Sequence, residues 1–162
     1  MFARKKDIME NRFEKFTTSI LKISLGILKI KSFEMEKYGL KPVHAICIYY
    51  LNVNENGMSQ AQLIKMCEED KGLISRALTT LEEKEMVRSS QQRNIKKYNS
   101  ILTLTNKGKE IAKEINKIIT MIFEEVGKEL TTDEKEVFYQ CLNKISTNMD
   151  IYLKQYEKRE TK

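Results

Sequence analysis

The sequence predicts a mainly α protein with one small β-hairpin past its midpoint, and three observations carry that expectation. Apolar residues recur at steps of three and four over most of the 162 residues, the period of helices that bury one face. Around residues 87–104 the period changes to alternation among β-formers, with a polar, basic stretch between the two runs. The only proline, the Asn56-Gly57 pair and a set of Ser, Thr and Asp residues stand between the periodic runs, where helices start and stop.

The first element is a helix from about Ile8 to Tyr38, with Phe13, Phe16, Ile20, Ile23, Ile27 and Ile30 on one stripe and Leu21, Leu25 and Leu28 on a second. So wide an apolar arc calls for cover on two sides, one of which a second subunit can supply. Gly39 ends this helix, and Pro42 opens the next at a position where its missing N–H costs nothing. That second helix runs from Pro42 to Val53, with Val43, Ile46, Cys47, Tyr50 and Leu51 expected to face inward. Ser59 and Gln62 have the spacing of a capping box at the start of a short third helix, whose core face is Leu63, Ile64 and Cys67. Asp70 can cap the following helix, whose inward stripe is Ile74, Ala77, Leu78 and Leu81. Two short helices joined by a tight turn make a helix-turn-helix pattern.

In the hairpin, Leu102 and Leu104 share one face, and Ile101 and Thr103 the other. Thr105 caps a helix reaching about Leu130, with Ile111, Ile115, Ile118, Ile122 and Val126 as its stripe. Thr131 and Glu134 form another capping box, and Val137, Cys141, Ile145, Met149, Tyr152 and Tyr156 continue along one face nearly to the end. A helix that long leaves a compact domain, and its stripe, like that of the first helix, is most economically covered in a symmetric dimer.

Charge is distributed unevenly. Lys and Arg number 29 against 23 Asp and Glu, a net +6, in a chain that is 41% hydrophobic and 32% charged. From Met86 to Lys109 there is no acidic residue, and Arg88, Arg93, Lys96, Lys97, Lys107 and Lys109 alone equal the net charge. A run of one sign reads as a surface shaped for a polyanion. Within EEDKGLISRALTTLEEKEMV the leading end is small, hydroxylic and basic, and the trailing end gathers Glu82, Glu83 and Glu85.

Several classes are set aside. No apolar run reaches the roughly 20 residues that span a bilayer, and the basic and polar N-terminus lacks the layout of a signal peptide, so a cytoplasmic protein without a membrane partner is expected. Cys47, Cys67 and Cys141 are widely spaced and show no C-x-x-C, so reduced thiols are expected in place of a disulfide framework or zinc site. There is no glycine-rich phosphate loop, no metal constellation and no nucleophile with a companion base, so neither an enzyme nor a cofactor is expected. His44, the only histidine, reads as a core or pocket-lining residue, and Cys47 and Cys67 as core positions.

The order of elements resembles the MarR family of winged helix-turn-helix transcriptional regulators. The segment DKGLISRALTTLEEKEMV is similar to that family's recognition helix, and LTLTNKGKE to the junction between its wing and the next helix. The resemblance implies a winged helix-turn-helix with N- and C-terminal dimerisation helices. It divides the chain into a dimerisation helix over residues 1–38, a DNA-binding lobe over 39–110 and C-terminal dimerisation helices over 111–162, intertwined as one domain. It also implies a reading head made of Lys71, Gly72, Leu73, Ser75, Arg76 and Thr79, with Ser59, Gln60 and Gln62 near the DNA backbone and Arg93, Lys96 and Lys97 on the wing. This wing reads QQRNIKKYN, without the Asp-x-Arg group of family wings, which leaves open whether Arg93 or Lys97 pairs with Asp70.

The function so implied is a homodimeric, sequence-specific regulator of double-stranded DNA, a repressor released by a small-molecule effector bound beside Ile23, Ile27, His44, Cys47 and Tyr50. Its operator would be a pseudo-palindrome with half-sites about 34–36 Å apart. Two alternatives stand beside it: a winged-helix interaction module that does not read DNA sequence, and a thiol-based redox-responsive regulator with Cys47 as the candidate.

Overall fold

The computed structural model describes residues 2–90 and 100–160, and the chain divides into two units, Met1–Ile118 and Ile119–Lys162. The first unit opens with α1 (Phe2–Glu36), a helix that begins earlier than its apolar stripe. It ends as the sequence predicts, at a left-handed Gly39 (φ +62°). There the Leu40 N–H donates to the Met35 carbonyl at 2.9 Å and the Gly39 N–H to that of Glu36 at 2.9 Å. This is a Schellman closure, and its apolar partners Met35 and Leu40 are both buried.

Helix α2 (Pro42–Val53) packs against α1 and against the rest of the lobe, namely α3 (Gln60–Cys67), α4 (Lys71–Glu83) and a strand, β3 (Ile101–Leu104). Its buried residues are His44, Ala45, Cys47, Ile48 and Leu51. The expected inward set holds for Cys47 and Leu51, whereas Val43, Ile46 and Tyr50 are only half-buried. A helix surrounded by neighbours buries a wide arc, and here its centre is turned toward Ala45 and Ile48. Ile48, Leu63, Ile74 and Leu81 have no exposed surface and form the centre of the lobe.

The β structure exceeds the predicted hairpin. β2 (Val87–Ser89) pairs antiparallel with β3, Val87 opposite Leu104, and β1 (Met58–Ser59) pairs with the other edge of β3, Met58 opposite Leu102. The order is therefore β1-β3-β2. Met58, Val87, Leu102 and Leu104 are buried while Ile101 is exposed, the alternation read from the sequence.

Helix α5 (Asn106–Val126) starts in the first unit, where Gly108, Ala112 and Ile115 are buried, and continues into the second. Helix α6 (Thr132–Glu160) begins at the expected box: the Glu134 carboxylate accepts from the Thr131 N–H at 2.8 Å, and the Thr131 hydroxyl oxygen from the Glu134 N–H at 3.3 Å. Asp133 and Glu134 in its first turn and Lys158 and Arg159 in its last complement the helix dipole. Within this unit Phe123 stacks on Tyr139 at 5.4 Å. No helix among the described residues is long and apolar enough to cross a membrane.

Candidate nucleic-acid interface

The candidate reading surface is the front half of α4. Its position is fixed from beneath by Ile74, Ala77, Leu78 and Leu81, all buried, so the opposite face must point outward. That outer face presents Lys71, Ser75, Arg76 and Thr79 as exposed residues, with Gly72 and Leu73 half-buried at its leading edge. The helix starts where the sequence predicts, because the Asp70 carboxylate accepts the N–H groups of Gly72 at 2.8 Å and Leu73 at 3.0 Å.

Gly72 has a local reason to be glycine. A Cβ at this position would stand 2.9 Å from the capping oxygen of Asp70 and 3.3 Å from a guanidinium nitrogen of Arg76. The absent side chain leaves room for the cap and for the Arg76 side chain beside it, so the capping carboxylate and the guanidinium converge at one end of the helix. Thr79 is likewise engaged within the helix, its hydroxyl donating to the Ser75 carbonyl at 3.1 Å and keeping its lone pairs as acceptors.

Of the residues expected near the DNA backbone, Ser59 and Gln62 serve the N-terminus of α3. The Gln62 side-chain oxygen accepts from the Ser59 N–H at 2.7 Å, and the Ser59 hydroxyl oxygen from the Gln62 N–H at 3.2 Å. Gln60 is half-buried in the same turn. Arg93, Lys96 and Lys97 lie outside the described residues.

Arg88 belongs to the acid-free run but not to the expected contact set. It is exposed on β2, and its Nε–H donates to the Thr103 hydroxyl oxygen at 3.3 Å across the paired strands. The signal was available: Arg88 occupies the polar register position of a strand whose neighbour Val87 faces the core.

The base of this hairpin is tied to the end of α4. The Thr105 hydroxyl donates to the Glu85 carbonyl at 2.7 Å, and the hydroxyl oxygen accepts from the Gly108 N–H at 3.1 Å. One side chain thus joins the turn after α4 to the first turn of α5. Glu85 itself is left-handed (φ +58°), with its N–H to Glu82 and the Met86 N–H to Leu81, both at 2.9 Å. This is a second Schellman closure, built on a glutamate where glycine is usual.

The residues expected beside an effector divide into two sets. His44 and Cys47 are on the buried face of α2 with Tyr50 half-buried, whereas Ile23 and Ile27 are on the exposed stretch of α1. His44 Nδ1 accepts the Lys41 N–H at 2.7 Å, closing the start of α2. Burial, aided by the charges of Lys41 and Lys84, holds its pKa below the ordinary histidine value. Among the described residues no group of three or more His, Cys, Asp or Glu could hold a metal ion.

Residues 38–94 match the model of the MarR family. A MarR family transcriptional regulator from Listeria monocytogenes, solved in complex with a 26mer DNA, superposes with a TM-score of 0.74 at 24% identity over 82% of this chain and 87% of its own. A MarR protein from Peptoclostridium difficile gives 0.74 at 21% identity, covering 83% and 86%. MepR of S. aureus, solved as a DNA complex, gives 0.71 at 16% identity, covering 83% and 96%. These solved structures share the fold of this chain. A search of curated proteins gave no match.

Proposed function

We infer, from a chain whose residues 38–94 match the model of the MarR family, that this protein is a sequence-specific DNA-binding transcriptional regulator. It acts as a homodimer and represses until a small-molecule effector releases it. The observation that carries the reading is the outer face of α4, where Lys71, Ser75, Arg76 and Thr79 stand exposed around a capped helix N-terminus over a buried stripe. Two cations on the outer face of a helix are suited to phosphates, and Arg76 has the fork that pairs with guanine O6 and N7. Arg88 on the hairpin supports a flanking contact, as Arg93, Lys96 and Lys97 would at the tip.

The dimer is supported by apolar surface left open. Phe13, Leu21, Leu25, Leu28 and Phe33 on α1 and Val137, Phe138, Tyr152 and Leu153 on α6 are all exposed, more than a lone chain keeps in water. An effector seated beside Ile23, Ile27, His44, Cys47 and Tyr50 would act by favouring one spacing of the two reading heads over another.

The test is binding to a selected operator and to random DNA of the same length. Arg76→Ala should cost about 1–3 kcal/mol on the operator and much less on random DNA. Lys97→Ala should weaken both and lower the salt slope by about 1. Equal losses for Arg76→Ala on both duplexes would defeat base reading, and binding indifferent to salt would favour a protein-interaction module.

A further inference from the structure

The start of α4 brings an anion and a cation to one point. Gly72 is in the first turn and Arg76 four residues further on, so the two share a face. A helical side chain leans back toward the N-terminus, over the residue four before it. With glycine there, the Arg76 side chain lies along that turn unobstructed: the place of a Cβ on Gly72 is 3.3 Å from Arg76 Nη1 and 4.0 Å from Cζ. The same point is 2.9 Å from Asp70 Oδ1. Carboxylate and guanidinium are therefore neighbours across the gap that the missing side chain leaves, and both residues are exposed.

The cap does not use the whole carboxylate. The N–H groups of Gly72 and Leu73 both donate to Oδ1, so the second oxygen, Oδ2, takes no part in it. A guanidinium offers donors only and a carboxylate acceptors only. Side by side they make a fork of N–H donors next to an oxygen acceptor. One base-pair edge is its complement: in the major groove guanine offers O6 and N7 as acceptors, and its cytosine offers the N4 amino group as a donor. O6 and N4 are hydrogen-bonded to each other in the pair, so two groups that bind them must be neighbours as well. An A·T pair fits neither half, since adenine places an amino group before the guanidinium and thymine an acceptor before the carboxylate. A phosphate fits the arginine, but the carboxylate beside it repels one.

We propose that Asp70 and Arg76, held together across Gly72, read one G·C pair in each half-site. Arg76 donates to guanine O6 and N7, and Asp70 Oδ2 accepts from the N4 amino group of the paired cytosine. The inference rests on the DNA-binding reading given above and adds to it a base pair and a second reading residue. The N-terminal end of a recognition helix is the part that meets base edges, and both side chains lie at that end of α4. Asp70 thus has two duties, one for each oxygen. Gly72 is a positioning residue: it sets how close the anion and the cation stand.

The experiment selects operators for the parent chain from a random duplex pool and then measures binding with each base pair changed in turn. Replacing one G·C pair per half-site should cost the parent about 5- to 150-fold, the span of one mismatched pair. At that pair and no other, Asp70→Asn, Arg76→Ala and Gly72→Ala should each shrink the penalty, by roughly 5-fold or more. Putting 2-pyrimidinone, which lacks the 4-amino group, in place of its cytosine should weaken the parent more than it weakens Asp70→Asn. Asparagine caps a helix as well as aspartate does, so the thermal melt of Asp70→Asn should match that of the parent. Its amide oxygen takes the cap and leaves the NH2 against the cytosine amino group. Alanine favours a helix over glycine, so a merely structural Gly72 predicts that Gly72→Ala binds as well as the parent or better. Should the alanine disturb the cap, Asp70→Asn decides alone. Asp70→Asn that discriminates like the parent overturns the proposal, as does a loss that falls at a different pair from that of Arg76→Ala. A parent that binds every duplex alike refutes sequence reading itself and the paired contact with it.

Discussion

Gly108 lies so close to the backbone of Met86 that a Cβ on it would stand 2.0 Å from the Met86 carbonyl oxygen and 3.2 Å from a methyl of Leu104. The carbonyl is itself held, accepting the Thr105 N–H at 3.0 Å, so it cannot turn away. Gly108→Ala should therefore force α5 off the hairpin and destabilise the protein by about 1–3 kcal/mol, the usual cost of overpacking. A thermal melt equal to that of the parent chain would show that the first turn of α5 can shift freely.

Glu85→Gly should act in the opposite direction. Glutamate in the left-handed region is strained by roughly 1 kcal/mol, which glycine does not incur. The Schellman bonds to Leu81 and Glu82 involve only the backbone and should survive the change. Denaturant unfolding should report a gain of up to about 1 kcal/mol; a loss would mean that the carboxylate has a partner of its own.

His44 gives stability a pH dependence of definite sign. Its pKa is lower in the folded chain than in the unfolded one, so unfolding takes up a proton on the acid side. Its contribution is fully present above the unfolded value of about 6.5 and declines as pH falls through that value toward the lower native one. His44→Gln keeps an acceptor for the Lys41 N–H, as Gln62 does for Ser59, but cannot titrate. The variant should lose less stability than the parent between pH 7 and 5; parallel curves would remove His44 as the source.

Arg88→Ala tests the hairpin. As a phosphate contact, Arg88 should matter equally on operator and random DNA, and its loss should lower the salt slope by about 1. Thr103, opposite it, should show no such effect when changed to Val. A loss confined to the operator would assign Arg88 to base reading.

Leu21→Glu with Leu25→Glu tests the association expected of α1, where both leucines are exposed. Sedimentation of the parent chain should show a dimer, and the paired variant should dissociate at micromolar concentrations. A dimer unmoved by the two carboxylates would take this face of α1 out of the interface.

Most of the fold could be read from the sequence because its signals are local. The Ser59, Asp70 and Thr131 caps and the stripe from Ile74 to Leu81 each depend on residues within a turn or two of one another. What escaped depends on distant partners. Met58 and Ser59 are too few to show alternation and become a strand only because β3 offers an edge. Glu85 lacks the glycine that would mark its turn, and the closeness of Gly108 to Met86 arises only when two elements meet. The site divides in the same way. The outward face of α4 follows from its buried stripe and the Ser59–Gln62 box from its spacing, whereas the fixing of Arg88 by Thr103 required coordinates.

The pairing of Met58 with Leu102 has a mechanical consequence. β1 runs straight into the cap of α3, and the far side of β3 carries β2, so the edge that holds Arg88 and the helices that present Arg76 are braced through a single central strand. Such a brace ties head and hairpin to one strand. Displacing this strand would therefore disturb Arg76 and Arg88 together.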